Sequence, residues 1–224
     1  MKYTDINSKT IDKWVDEGWE WGRPITAAEF AAAKAGNWSM VLTPTKPVPK
    51  EWYAHLKGTA VLGLASGGGQ QMPIFAALGA ECTLLDYSER QIASDLEVAR
   101  REGYTINAIR ADMTLTLPFA DASFDLIFHP VSNCYIEDVG HVWRECYRIL
   151  KPGGRLMAGL DNGFNYLFDE KDEKTIKYKL LRGQLQVGFR LLDLYEDTGG
   201  SGLLHEYGVP TFWATLAVKD DAGR

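Results

Sequence analysis

Cysteine is scarce in this chain of 224 residues: Cys82, Cys134 and Cys146 are the three present, and none stands at CxxC spacing. An odd count without paired spacing gives neither a disulfide framework nor a cysteine zinc site, and the three are expected to be buried small apolar residues. His, Asp and Glu form no triplet at metal-ligand spacing either, so no metal is expected. Long apolar runs are missing too. The stretch 74–78 falls far short of the ~20 residues that cross a bilayer, so no membrane partner is expected. The opening MKYTDINSKTIDKW lacks the apolar core of a secretory signal, which makes the cytoplasm the expected compartment. Excess positive charge is also absent. Lys and Arg number 24 against 30 Asp and Glu, a net charge of −6, and nucleic-acid binders generally carry a basic surface. The run Lys174, Lys177, Lys179 and Arg182 reads as a solvated helix face. Oligomeric state leaves no mark on the sequence.

From residue 59 onward, strand-like runs alternate with helix-like segments. Strands are expected at 60–64, 82–85 (ending on Asp86), 104–110, 124–128 and 155–160. Helices are expected at 72–79, from an N-cap at Ser88 to about 101, and at 136–150, the last closed by Lys151-Pro152-Gly153-Gly154. Such alternation implies a mostly parallel sheet with helices on both faces and ligands at the carboxyl ends of its strands. Residues 65–71, Asp86, Asp112, 129–135 and 161–165 are therefore the expected functional positions. Segments 189–195 and 211–218 are both strand-like. The Gly-rich connector 197–210 leaves no room for a crossover helix, so this pair is expected to run antiparallel. Residues 1–58 form a separate expected unit, a helical cap or lid over a ligand-binding domain at 59–224. The cap has helices at 10–17 and 27–35, the second with Thr26 and Glu29 in capping-box spacing. It holds five of the seven tryptophans: Trp14, Trp19, Trp21, Trp38 and Trp52.

The stretch VLGLASGGGQQM (61–72) breaks a buried strand into a glycine loop. No GK[ST] follows, which excludes a P-loop, and Met72 stands where a GxGxxG fingerprint needs its last glycine. Gly63, Gly67 and Gly69 do fit GxxxGxG, and Tyr147 with Lys151 fits YxxxK, a pair that resembles short-chain NAD(P)-dependent reductases. There, however, the Tyr and Lys lie within a long helix, whereas Pro152 and Gly153 end this one. The reading that uses more residues has Asp86 accept both hydroxyls of a ribose, Asp112 accept from an adenine amine and Met113 cover the adenine face. A glycine loop without a phosphate-binding lysine suits a ribose that carries an amino-acid chain. Together these describe S-adenosylmethionine.

VLGLASGGGQQ, LLDYSERQI, RADMTLTLPFADASFDLIF and RILKPGGRL, four motifs in order across about residues 58–160, resemble class I methyltransferases of the type-11 methyltransferase domain group. The resemblance implies a Rossmann-like, doubly wound α/β fold: a seven-stranded sheet, mostly parallel, with its last strand antiparallel. It implies transfer of a methyl group from S-adenosylmethionine to a small-molecule acceptor, leaving S-adenosylhomocysteine. Carried over residue by residue, it assigns cofactor contacts to Gly63, Ala65, Ser66, Gly67, Gly69, Gln71, Asp86, Tyr87, Asp112, Met113 and His129. This chain departs from the family pattern in two places. Gly63 stands where the family usually has an acid and Ala65 where it has its first glycine, so Gln70, Gln71 or the cap is expected to hold the methionyl end. The stretch 168–188 is short, which opens the acceptor side and leaves a cofactor-binding protein without turnover as an alternative.

Methyl transfer is an in-line displacement in which the protein aligns and desolvates, with a base needed only for a protonated acceptor. The segment HPVSNCYIED (129–138) is expected to face the methyl group. His129 is the candidate base, being the side chain that titrates near neutrality. Asn133 and Tyr135 are candidates to orient the acceptor. His205, Glu206 and Tyr207, in the late connector, are further candidates for the acceptor side.

Overall fold

The computed structural model describes residues 1–53, 55–163 and 180–220. The chain builds a seven-stranded sheet in the order β3-β2-β1-β4-β5-β7-β6. Its strands are β1 (Ala60–Leu64), β2 (Glu81–Asp86), β3 (Asn107–Arg110), β4 (Phe124–His129), β5 (Leu150–Asp161), β6 (Phe189–Asp197) and β7 (Phe212–Lys219). Strands β1 to β5 pair in parallel, and β7 runs antiparallel to both β5 and β6. The expected mostly parallel sheet with an antiparallel last strand is therefore present. Between them run helices α1 (Tyr3–Asp16), α2 (Ala27–Lys34), α3 (Gln71–Ala77), α4 (Glu89–Glu102), α5 (Val139–Ile149), α6 (Leu180–Gln186) and α7 (Gly202–Glu206). Among the described residues no helix is long and apolar enough to cross a membrane.

Strand pleat splits the core into two layers, because successive side chains point to opposite faces. Leu62, Leu64 and Ile127 join Trp143, Cys146 and Ile149 of α5 on one face. Val61, Leu126 and Phe128 join Phe75 of α3 on the other, where Met40, Leu42, Val48, Trp52 and Tyr53 complete the layer. The N-terminal segment thus contributes core as well as roof.

Caps fix the helices where the sequence placed them. Ser88 Oγ accepts from Gln91 N at 3.1 Å, Gly103 closes α4 at φ 72°, and Thr26 and Glu29 form both bonds of a capping box. Several boundaries differ from the expectation. Helix α1 begins at Tyr3 rather than at residue 10, because its inward face carries polar Thr4 and Ser8 rather than an apolar stripe. Strand β3 begins at Asn107, not 104, since Tyr104 N still bonds Ala99 O and its ring stacks on Phe30 of α2. Residues 151–154 belong to β5 as an irregularity, where the register with β4 shifts between Phe124 and Leu126. The connector 197–210 does hold a helix, the five-residue α7, too short to be a crossover. Lys174, Lys177, Lys179 and most of 168–188 lie outside the described residues, as do Phe164 and Asn165.

Candidate functional site

Where strand order reverses between β1 and β4, the loops at the carboxyl ends of the parallel strands diverge, and a crevice forms there. It is a cavity of about 450 Å³. Its floor comes from Ala65, Ser66 and Gly67 after β1, Asp86 and Tyr87 at the end of β2, Asp112 and Met113 after β3, and Asp161 ending β5. The roof is the N-terminal segment, including Ile11, Trp14, Trp19 and Trp21.

The glycine loop is held by two buried carboxylates. Gly67 N donates to Asp86 Oδ2 at 3.0 Å, and Gly69 N donates to Asp95 Oδ2 at 2.9 Å. Glycine is required here by space: a Cβ on Gly67 would stand 2.5 Å from Gln91 Cβ, and one on Gly68 (φ +110°) 2.3 Å from the Trp21 carbonyl oxygen. Asp86 also accepts from Ser88 N at 2.9 Å. Burial raises its pKa against the opposing pull of the Ser88 and Gly67 amides. Asp95 is deeper, and burial lifts its carboxyl to about 8, with the neighbouring charge of Asp86 adding to the shift.

The roof is tied to the loops beneath it through polar bonds from α1. Ser8 Oγ donates to Tyr87 O at 2.8 Å, Tyr87 OH donates to Asp5 Oδ1 at 2.7 Å, and Asn7 Nδ2 donates to Tyr135 O at 3.0 Å. Asp12 Oδ1 accepts from Ser88 Oγ and Arg90 N, at 2.6 and 3.0 Å. Helix α1 therefore bridges the end of β2 and the segment after β4. A second strap, Thr43 and Pro44 on the cavity wall, is anchored by Asp197. Burial opposes ionisation of that carboxylate, but the Thr45 hydroxyl and amide, with Thr43 and Lys46, outweigh it and lower its pKa.

Of the residues singled out from sequence, Ala65, Ser66, Gly67, Gln70, Gln71, Asp86, Tyr87, Asp112, Met113 and Tyr135 line the cavity; Gly63, Gly69, His129 and Asn133 do not. Gly63 is backed by Met72, whose Sδ would stand 2.4 Å from any Cβ there, so a sulfur fills the space of the absent side chain. His129 is fully buried, its Nδ1 sits 2.8 Å from Leu64 O, and burial depresses its pKa to about 4. It stands behind the wall as a neutral ring. Asn133 spends its amide on the backbone of Asp161, at 3.0 and 2.8 Å. Gln70 Nε2 donates to the carbonyls of Glu20 and Arg23, at 2.7 and 3.2 Å, and so ties down the roof. Gln71 keeps its Nε2 available at the cavity wall while Oε1 accepts from Ser66 Oγ at 3.4 Å. His205, Glu206 and Tyr207 lie at or beside α7, and none lines the cavity. Cys82 and Cys146 are buried as expected, whereas Cys134 is exposed at the wall.

The reductase pair has other occupations. Lys151 Nζ binds both oxygens of Asp125 at 2.9 Å, the Tyr147 ring packs on Phe189, and neither reaches the cavity. Sequence reasoning missed Thr4, Asn7 and Ser8, Thr43, and the loop anchors Asp95 and Asp197. A run of small polar residues at helical spacing in 4–8 was the one signal for the first group.

A methyltransferase domain profile matches residues 62–158. The chain is 38% identical to the uncharacterized methyltransferase YbaJ of Bacillus subtilis, across 95% of this chain and 97% of that protein. Among solved structures, an S-adenosylmethionine-dependent methyltransferase from Mesorhizobium loti superposes with a TM-score of 0.56 at 19% identity, over 75% of this chain and 94% of that one. One from Aquifex aeolicus gives 0.55 at 15%, over 76% and 86%. At those identities the two structures speak for the fold.

Proposed function

The chain belongs to the methyltransferase domain family, with S-adenosylmethionine as its cofactor, and from that premise we propose that the cavity at the β1–β4 switch point transfers the methyl group to a small-molecule acceptor. The observation that carries the reading is the joint placement of Asp86 and Asp112 on the floor of one cavity beside the glycine loop. The residues fit the cofactor. Asp86 offers carboxylate oxygens to ribose hydroxyls. Asp112 commits Oδ1 to the Thr114 amide and hydroxyl, at 2.9 and 2.7 Å, leaving Oδ2 for the adenine amine, and Met113 covers the ring. With no acid at Gly63, the Gln71 amide and Ser66 take the methionyl end.

Bound S-adenosylmethionine supplies a methyl carbon already activated by its sulfonium. This chain's own residues hold the acceptor in line and exclude water. The roof of α1, Trp19 and Trp21 does the second, and the wall of Val131, Tyr135 and Phe212 does the first; such alignment is the larger share of catalysis for a reaction of this type. His129 serves the fold: its Nδ1–H ties β4 to the end of β1. Asn133 positions Asp161, and Tyr135 faces the acceptor. Titration of ligand-stripped protein with S-adenosylhomocysteine and, separately, with NADPH tests the reading. Micromolar binding of the first alone is expected; binding of the nicotinamide alone would overturn it.

A further inference from the structure

Three consecutive amides of the glycine loop turn toward β2 and α4. Gly67 N donates to Asp86 Oδ2 at 3.0 Å, Gly68 N to Gln91 O at 3.0 Å and Gly69 N to Asp95 Oδ2 at 2.9 Å. A phosphate-binding loop aims such amides at its ligand; here two carboxylates have taken two of the three. Asp86 lines the cavity, whereas Asp95 does not and is fully buried beneath the loop. Among the described residues, the titratable groups facing Asp95 are Asp86 and Cys82 of β2 and Tyr104 beyond α4. Arg101, on the same helix, gives its guanidinium to Glu102 and the Ile25 carbonyl, at 2.6 and 2.7 Å. Two carboxylates thus back one loop, and the charge of Asp86 opposes ionisation of Asp95.

Resting on the cofactor placement above, we propose that Asp95 is a positioning residue through which the glycine loop tells S-adenosylmethionine from S-adenosylhomocysteine: it keeps its proton beneath the neutral thioether and gives it up to solvent when the sulfonium is seated. The argument is one of charge. The two ligands differ by one methyl group and one positive charge. Where burial keeps water away, a cation favours the ionised form of a neighbouring carboxyl. Asp95 has a proton to lose, since burial and Asp86 hold its carboxyl at about 8. As a carboxylate it is the stronger acceptor for Gly69 N, so the loop is held most firmly under the methyl donor. Transfer removes the sulfonium charge, the proton returns from solvent, and the grip on Gly69 slackens as the product leaves. By linkage, preference for S-adenosylmethionine over S-adenosylhomocysteine rises with pH across that window.

Two measurements on the full chain test this. Carbon NMR of the Asp95 carboxyl follows its titration in wild type saturated with each ligand in turn. The midpoint is expected to lie lower with S-adenosylmethionine by about half a pH unit or more. Calorimetry at pH 6.5 and 8.5 gives the ratio of the two affinities. Asp95→Asn keeps an acceptor for Gly69 N but does not ionise, and the ligands' own amino groups titrate alike against both proteins. The wild-type ratio is therefore expected to move toward S-adenosylmethionine by about threefold more than the variant's. Equal midpoints with the two ligands, or a ratio that moves as far in Asp95→Asn as in wild type, overturns the assignment. If the variant does not fold, the wild-type midpoints decide. If S-adenosylhomocysteine does not bind the wild-type chain at all, the cofactor placement fails first, and the two failures are told apart.

Discussion

Replacing Asp86 by Ala removes the carboxylate on which the cofactor assignment turns. In the wild-type chain that carboxylate holds Gly67 N and Ser88 N, at 3.0 and 2.9 Å, and retains acceptor capacity toward the cavity. Hydrogen bonds to a charged group contribute about 1.5–3 kcal/mol, so losing the ribose contacts weakens S-adenosylhomocysteine binding by roughly 10- to 150-fold. The two amides left behind also lose their acceptor, but the same change removes a desolvated charge. The effect on folding is therefore smaller than the sum of the lost bonds. Calorimetry on wild type and variant, using S-adenosylhomocysteine and its 2′-deoxy analogue, separates the contributions. Wild type should prefer the ribose ligand, and Asp86→Ala should bind both alike. Asp86→Asn, which keeps one oxygen without the charge, should fall between. Affinity within twofold of wild type in a natively folded Asp86→Ala chain would refute the reasoning.

Asp95 should make the protein less stable as pH rises. Its carboxyl sits at about 8 in the folded chain against an ordinary 3.8, so between those values the folded state keeps a proton that the unfolded state has released, and stability falls across that window. Asp95→Asn keeps an acceptor for Gly69 N and should flatten the decline, a difference read from Tm at pH 5, 6.5 and 8; parallel profiles would contradict it. Gly68→Ala forces a Cβ to within 2.3 Å of the Trp21 carbonyl at φ +110° and should destabilise the chain by ~1–3 kcal/mol and weaken S-adenosylhomocysteine more than tenfold, measured by denaturant titration and calorimetry. His129, held at about 4 by burial, should show a neutral Nδ1–H ring by nitrogen NMR from pH 5.5 to 8, and titration near 6.5 would restore it as a base. Ser8→Ala loses the 2.8 Å bond to Tyr87 O and should cost about 1 kcal/mol of stability; an unchanged Tm would detach α1 from the account of the roof.

The sheet was legible because burial on both faces imposes continuous apolar runs, and those at 60–64, 82–85 and 124–128 became β1, β2 and β4 with little change. The start of helix α4 could be read from its chemistry, since the Ser88 N-cap is a local decision, and its end, expected near 101, lies at Glu102 before Gly103. What the sequence hid is what tertiary contact decides. Tyr104 looked like the start of a strand, but its ring is taken by Phe30 of α2. The first turns of α1 have no apolar stripe because their partners are the backbone carbonyls of Tyr87 and Tyr135 and the Tyr87 hydroxyl. The same division holds in the site. Asp86, Asp112 and the glycine loop follow strands and announce themselves by position. His129 and Asn133 follow β4 just as plainly, yet one faces inward to Leu64 O and the other to the backbone of Asp161. Strand position names the neighbourhood of a side chain, and only packing says which way it turns. Asp95 gave no signal, since its role depends on Gly69 lying above it.

The most direct test of the account is a crystal structure of the chain with S-adenosylhomocysteine. The account places the ribose hydroxyls within hydrogen-bond distance of Asp86, the adenine amine at Asp112 and the homocysteine carboxylate at the Gln71 amide. A ligand whose ribose lies away from Asp86, or a cavity that stays empty at saturating ligand, would contradict it.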